Sequence, residues 1–252
     1  MTRFDFTDKV VLVAGASRGI GEAISHGFAE HGATVICSSR KQADCEKVAE
    51  KIREKGGNAI SAELHIGNLD HHENVLSLIK SRFGRLDVLI NNGATSPHFG
   101  PAHEASESAF DKTIQVNTRG PYFLSTKAFP FLKENGGGSI INVASIDGIQ
   151  PAEFRVIYGM SKAALIAMTK GLAKEYSQHG VRVNALLPGF TDTKLASALK
   201  DNPAMDIYVK MNLAIKRMAQ PEEMVGAVLY MASQEASYYT GQSMIVDGGA
   251  VN

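Results

Sequence analysis

The chain has 252 residues, 44% of them hydrophobic and 21% charged, with 26 basic side chains balanced by 26 acidic ones. Such a chain can bury a substantial core, and its zero net charge excludes a global field that would recruit nucleic acid or an anionic membrane. Two cysteines, Cys37 and Cys45, are too few for a disulfide framework and lack zinc-ligand spacing, so they are read as structural thiols in a reducing compartment, with no metal expected.

At the N-terminus, MTRFDFTDKV has no apolar run of signal-peptide length, and no stretch of about 18 apolar residues is long enough to span a membrane. The C-terminal DGGAVN carries neither the ER-retention nor the peroxisomal signal. These features predict a cytoplasmic enzyme or binding protein with no membrane or nucleic-acid partner.

In chain order, seven short apolar runs are predicted as strands: 10–15, 33–39, 58–64, 86–92, 139–145, 181–189 and 241–249. Runs such as VVLVAG and LDVLINN are hydrophobic at successive positions, as expected of parallel strands covered on both faces. Between strands, GIGEAISHGFAEHG and KQADCEKVAEKIREKGG place apolar residues at three-to-four spacing and a glycine near the C-terminal end. Strand alternating with helix implies right-handed crossovers onto one sheet. The prediction is an α/β fold, a doubly wound parallel sheet of seven strands with helices on both faces, as a single domain over residues 1–252. The least regular segment, about 190–216, follows the sixth strand and is expected to be a substrate loop.

Directly after the first strand, AGASRGIGEAI sets Gly15, Gly19 and Gly21 before a helical pattern. Glycines there permit a tight turn, close approach of backbone to a pyrophosphate and close packing of helix on strand, while the helix N-terminus presents free N–H groups. The spacing departs from G-x-G-x-x-G, and a glycine turn that binds nothing is the plain alternative. At the end of the second strand, where an NAD enzyme places a carboxylate roughly 20 residues past the glycines, Ser39 and Arg40 stand instead. Arg18 lies within the turn. At ~4 Å and an effective dielectric near 20, one guanidinium gains about 4 kcal/mol per phosphate charge before desolvation and screening. NADP(H) is therefore the expected cofactor, against the alternative of two solvated surface arginines.

Further along come NNGA at 91–94, Asn117 in QVNTRG, Ser145 in INVASI, Tyr158 and Lys162 in YGMSK, PGFTDT at 188–193 and YYTGQSMIVDGG near the end. Together with GASRGIG, in this order and with Ser145 thirteen residues before Tyr158, they make the chain resemble the short-chain dehydrogenase/reductase family over nearly its whole length. The stretches SSRKQ, HIG and SPHFG are similar to its NADPH-dependent carbonyl reductase branch.

Hydride transfer between nicotinamide and a carbonyl carbon leaves an oxygen that must be protonated. Tyr158 fits as general acid in reduction and general base in oxidation. Lys162, one turn along, is expected to favour its ionised form. Ser145 should hydrogen-bond the substrate oxygen, although capping the next segment is its blander role; Asn117 resembles the asparagine that links the lysine to solvent through water, although it could simply satisfy backbone groups. The resemblance further implies coenzyme contacts at Gly15, Ser17, Arg18, Gly19, Ile20 and Gly21 in the turn, at Ser39 and Arg40, and at Asn91 and Gly93. It adds Tyr158, Lys162, Pro188, Gly189 and Thr193 around the nicotinamide. His65 stands where many members carry an aspartate facing adenine; stacking or hydrogen bonding to adenine and a plain strand-end role both remain open.

Substrate contacts are expected from Ser96–Phe99, Ile146–Gln150, Phe154, Phe190 and residues 194–213, with Met205 and Met211 either substrate readers or gap-fillers. This mixed lining suggests a small-molecule carbonyl or alcohol substrate, such as an apolar ketone, dicarbonyl or quinone. A 3-oxoacyl-carrier-protein reductase is the alternative, but its acidic carrier would want a basic face and KAFPFLKENGGG offers only Lys127 and Lys133 against Glu134. A catalytically silent dinucleotide-binding sensor would be expected to have lost Ser145, Tyr158 or Lys162. Resemblance also implies a homotetramer, built through long helices at about 106–133 and 155–179 and through the last strand.

Overall fold

The computed structural model describes residues 4–194 and 203–251. Seven parallel strands form one sheet in the order β3-β2-β1-β4-β5-β6-β7. They are β1 (Val10–Ala14), β2 (Thr34–Ser39), β3 (Asn58–Glu63), β4 (Val88–Asn91), β5 (Gly138–Val143), β6 (Val181–Pro188) and β7 (Ser243–Val246). Each lies within one or two residues of the apolar run that predicts it, except for β7, which is shorter than its run by two residues at one end and three at the other.

Burial on both faces explains why the runs do not alternate in polarity. Val11 and Val13 of β1 pack into one core with Phe28, Val48 and Val228. Those residues come from α1 (Gly19–Glu30), α2 (Gln42–Glu54) and a late helix, Val225–Ala232. Leu12 and Ala14 face the opposite core with Ile79, Leu124 and Leu172, supplied by α3 (Leu69–Phe83), α5 (Gly120–Glu134) and α6 (Val156–Tyr176). Fully burying each such side chain is worth ~1.5–3 kcal/mol, so a polar residue on either side would be costly. Among the described residues no helix is long and apolar enough to cross a membrane.

Two expectations are corrected. The long helix over 106–133 is interrupted: α4 (Glu107–Ile114) runs into a π turn at Gln115–Arg119 before α5 begins. Pro121 has no N–H to give the Asn117 carbonyl four residues earlier, so the α ladder cannot pass through, and the Gly120 N–H instead reaches the Gln115 carbonyl five residues back. The segment predicted as an irregular loop at 190–216 contains a helix, α7 (Pro203–Asn212). Residues 195–202 of that segment, and the side chain of Met205, lie outside the described residues. The late helix, Val225–Ala232, is α8.

Strand order reverses between β1 and β4, so the connections leave to opposite sides and a crevice opens at the carboxyl ends of these two strands. Its floor depends on missing side chains. Gly15 has φ +93°, and a Cβ there would lie 2.6 Å from the Gly93 nitrogen. A Cβ on Gly21 would overlap the Gly15 carbonyl oxygen. Gly21→Ala should therefore lower stability by about 1–3 kcal/mol. Urea unfolding measures this, and an unchanged midpoint would mean that α1 does not need that close seat on β1.

Candidate active site

Two adjoining cavities occupy the crevice. The larger, about 400 Å³, runs from the glycine turn past the end of β2. The smaller, about 220 Å³, lies over the ends of β5 and β6. Ile20, Asn92, Ala94 and Thr193 line both, so the two are continuous.

In the larger cavity the N-terminus of α1 has no side-chain cap, and its first N–H groups face a turn in which Gly15 and Gly19 hold positive φ. Uncapped N–H groups beside a glycine-rich turn suit a pyrophosphate. Arg18, Arg40, His65 and Lys112 line the same cavity, and among the described residues no carboxylate does. His65 Nδ1 accepts the Gly67 N–H at 3.0 Å, which assigns the neutral ring proton to Nε2, 3.3 Å from the Lys112 ammonium. Burial, then Lys112 and Arg40, hold the His65 pKa below its ordinary value, so the ring is neutral at pH 7. Lys112 also donates to Gln115 Oε1 at 3.4 Å, so the ring and the ammonium sit side by side on the cavity wall. The cavity fits a nicotinamide dinucleotide on these grounds.

The smaller cavity holds the reactive groups. Ser145 follows β5 by two residues and caps a short 3-10 turn, Ile146–Gly148, its Oγ accepting the Asp147 N–H at 3.1 Å. That turn seats against α6 because two glycines permit it. A Cβ on Gly148 would lie 2.9 Å from the Lys162 carbonyl carbon, and one on Gly159 would lie 3.0 Å from the Asp147 oxygen. Tyr158 and Lys162 are thereby brought under Ser145, both buried, with the Lys162 ammonium 5.6 Å from the Tyr158 ring centroid. Lys162 Nζ donates to the Val143 carbonyl at 2.7 Å.

Electrostatics differ from the expected pattern. Burial pushes the Tyr158 phenol above its ordinary range; Arg155 opposes this, Asp147 adds to it, and hydrogen bonds from Ser145 and Arg155 oppose it. The leading influences on the phenol are burial, Arg155, Asp147 and Ser145 rather than the expected Lys162. Burial and the repulsion of Arg155, partly offset by Asp147, bring Lys162 down to about 7. The cation nearest the phenol is Arg155, whose guanidinium carbon lies 4.4 Å from the ring centroid.

Of the expected coenzyme residues, Gly15, Ser17, Arg18, Gly19, Ile20 and Gly93 line the larger cavity. So do Ser39, Arg40, His65 and Thr193. Tyr158, Lys162, Pro188 and Gly189 line the smaller one with Ser145. Three expected residues lie elsewhere. Gly21 is packed beneath the turn. Asn91 points into the sheet core, donating to Ser125 Oγ at 2.9 Å and to Asn142 Oδ1 at 2.8 Å. Its neighbour Asn92 faces the crevice instead, donating to the Gly15 carbonyl at 2.7 Å, as alternation along a strand requires. Asn117 is buried in the π turn, where its amide bonds both backbone groups of Thr95 and donates to Ser161 Oγ at 3.0 Å; its side chain does not line the smaller cavity.

Among the expected substrate contacts, Ser96, Phe99, Ile146, Asp147 and Phe190 line the smaller cavity. Ile149 and Gln150 are exposed, Phe154 packs on Phe99 with ring centroids 6.1 Å apart, and Met211 is 75% exposed; none of these four lines that cavity. The sequence pattern gives no specific role to Asn92, Lys112 or Arg155. Lys112 is 47 positions from His65 and has no local signal. Arg155 had one, since it precedes Tyr158 by three residues and therefore shares its helical face.

A dinucleotide-sized crevice leading to a buried proton donor calls for oxidoreduction at a carbonyl or alcohol carbon, and the fold and site define the protein as an oxidoreductase of the doubly wound α/β class. A family model described as enoyl-(acyl carrier protein) reductase matches residues 15–251. The chain is 36% identical over 245 residues to dehydrogenase/reductase SDR family member 4 of Bos taurus, covering 97% of this chain and 88% of the bovine one. It superposes with a TM-score of 0.94 and 26% identity on a gluconate 5-dehydrogenase of Burkholderia cenocepacia in complex with NADP and tartrate, covering 98% of this chain and 97% of that one. The TM-score is also 0.94, with 26% identity, to a 7α-hydroxysteroid dehydrogenase complexed with NADH and 7-oxo glycochenodeoxycholic acid, covering 98% of this chain and 96% of that one. The chain belongs to the short-chain dehydrogenase/reductase family.

Proposed function

We propose that the protein is an NADP(H)-dependent carbonyl reductase acting on an apolar ketone, dicarbonyl or quinone. The observation that carries this reading is the shared cavity of Tyr158 and Ser145, continuous with a crevice lined by basic side chains. Solved relatives bind either NADP or NADH, so the coenzyme preference rests on this chain's own residues. Arg18 and Arg40 would hold the additional phosphate, with no carboxylate among the described residues of that cavity to repel it. His65 and Lys112 offer neighbouring donors to an acceptor on the adenosine half.

When bound, the dinucleotide would supply or accept the hydride. Tyr158 donates its hydroxyl proton to the substrate oxygen in reduction. Ser145 Oγ already accepts the Asp147 N–H, which leaves the serine hydroxyl hydrogen to donate to the same oxygen. Burial raises the phenol's pKa, so the hydroxyl carries its proton at neutral pH, the form that a proton donor needs. Lys162 is anchored on Val143 beneath the phenol, where it would hold the nicotinamide ribose. Asn117 fixes Ser161, the neighbour of that lysine, and so positions α6.

Phe99, Ile146 and Phe190 give the smaller cavity an apolar wall. Its one arginine is paired with Asp147 and so offers no free cation to a substrate phosphate. A 3-oxoacyl-carrier-protein substrate is the second reading. It is weakened by Lys127, which is bound to Glu73 at 2.8 Å and so gives little to an acidic carrier. The buried thiols of Cys37 and Cys45 are free, which supports a reducing, cytoplasmic setting.

A homotetramer is also proposed, because apolar side chains lie exposed on α4 to α6, including Phe110 at 40%, Tyr122 at 44% and Met160 at 50%. The β7 edge adds Ile245 at 43%, and that edge of the sheet is unpaired. Light scattering should give about four times the mass of one chain; a monomer at micromolar concentration would remove this element of the proposal.

Two kinetic measurements test the rest. With NADPH, the protein should reduce at least one of a panel of ketones, dicarbonyls, quinones and a 3-oxoacyl thioester, and Tyr158→Phe should lower kcat by ~10²-fold or more while NADPH binding persists. Equal turnover by both proteins would remove Tyr158 as the proton donor, and turnover of the thioester alone would favour the second reading. Arg40→Asp should weaken NADPH at least ~10-fold relative to NADH; an unchanged ratio would refute the coenzyme assignment.

A further inference from the structure

Arg155 and Asp147 line the same cavity as Ser145 and Tyr158 and touch each other there. Arg155 occupies the N-cap position of α6 without a side-chain capping bond, and Asp147 sits in the turn directly after Ser145. Arg155 Nη1 is 2.8 Å from Asp147 Oδ2, with side-chain exposures of only 18% and 7%. Yet the contact is not aligned as a hydrogen bond, for Asp147 Oδ2 has no directed partner. A buried ion pair without directed bonds is a weak source of stability, and an apolar pair of similar volume would hold the turn at least as well. The preceding residue, Phe154, holds a left-handed φ of +63°, a conformation costly for an aromatic side chain and characteristic of segments whose placement serves a site.

The charged groups that line the cavity around the phenol are few. Lys162 comes from α6, Arg155 from its N-cap and Asp147 from the 3-10 turn; no other titratable side chain lines the cavity among the described residues. Of the two cations, Arg155 is nearer the ring, at 4.4 Å against 5.6 Å for Lys162. A guanidinium as a class is less readily deprotonated than an ammonium, and its planar fork can stack on an aromatic face.

We propose that Arg155 and Asp147 form an electrostatic couple acting on the catalytic phenol, in which the guanidinium stabilises the phenolate and the carboxylate moderates it, so that the couple sets the pH range of proton transfer. The proposal rests on Tyr158 being the proton donor. Arg155 and Asp147 are positioning residues that act through Tyr158. Both also act on Lys162 with the same sign: the guanidinium lowers its pKa and the carboxylate raises it. Removing the guanidinium therefore moves both groups to higher pH, and removing the carboxylate's charge moves both to lower pH.

The test combines alcohol oxidation, in which the phenolate is the active form, with a direct titration of the phenol. The acid limb of kcat/KM should rise by about one pH unit or more in Arg155→Gln and fall in Asp147→Asn, while Arg155→Lys should restore most of the wild-type position. Ultraviolet difference titration of phenolate formation, with Tyr158→Phe as the blank, should show the same order of midpoints without requiring turnover. That second readout separates this proposal from the functional one: a protein inactive on every substrate would still report the phenol. Shifts of the same sign in Arg155→Gln and Asp147→Asn, or a lower rate with no shift in either readout, would overturn the couple. If Arg155→Gln does not fold, Asp147→Asn alone decides, because an unmoved or raised midpoint in that variant is enough to reject it.

Discussion

The site depends on how closely the turn after β5 can approach α6. Ser145 lies on that turn, and Tyr158 and Lys162 lie on the helix. They share one small cavity because Gly148 and Gly159 leave no side chain between the two backbones. A methyl group at either glycine would separate the serine hydroxyl from the phenol by enough to break a shared hydrogen bond to one substrate oxygen. The glycine inside YGMSK is thus part of the same geometry as the tyrosine and lysine that bracket it.

That approach also creates the electrostatic problem of the site. Pressing the turn on the helix removes water from Tyr158, Lys162 and Asp147 together, and burial opposes the charged form of each. A phenol and an ammonium four residues apart on an exposed helix would behave as the simple expectation has it, with the ammonium favouring the phenolate. Buried, the ammonium loses much of its own charge near neutral pH, and a guanidinium with its higher proton affinity becomes the steadier cation. The ordering of these effects follows from burial, which sequence spacing does not reveal.

Much of the fold was legible because its signals are local and redundant. Strands buried on both faces must be apolar at successive positions, so VVLVAG and LDVLINN announce themselves, and Gly32, Gly56, Gly84 and Gly136 mark where α1, α2, α3 and α5 stop. The interruption at 115–119 was harder, although Pro121 is its visible cause, because a proline near a helix start is usually tolerated. The helix at Pro203–Asn212 was hidden by the turn-forming residues around it. In the site, Ser145, Tyr158 and Lys162 were legible through motif spacing. The outward Asn92 and the inward Asn91 were not, since which of two adjacent asparagines faces the crevice depends on the pleat of β4 and on Ser125 and Asn142 waiting on the inner side.

By itself, the sequence determined the alternation of strand and helix, the glycine turn that opens α1, and the identity of the groups that could donate a proton or hold a phosphate. These follow from side-chain size, polarity and backbone freedom, which are properties of each residue in its own stretch of chain. Only the tertiary structure decided that Arg155 is the cation over Tyr158, that Lys112 stands beside His65, and that Asn91 belongs to the core. The last two relations join residues from separate elements, the first depends on how deeply the start of α6 is buried, and the order of the strands and the depth of burial exist only once the sheet has assembled.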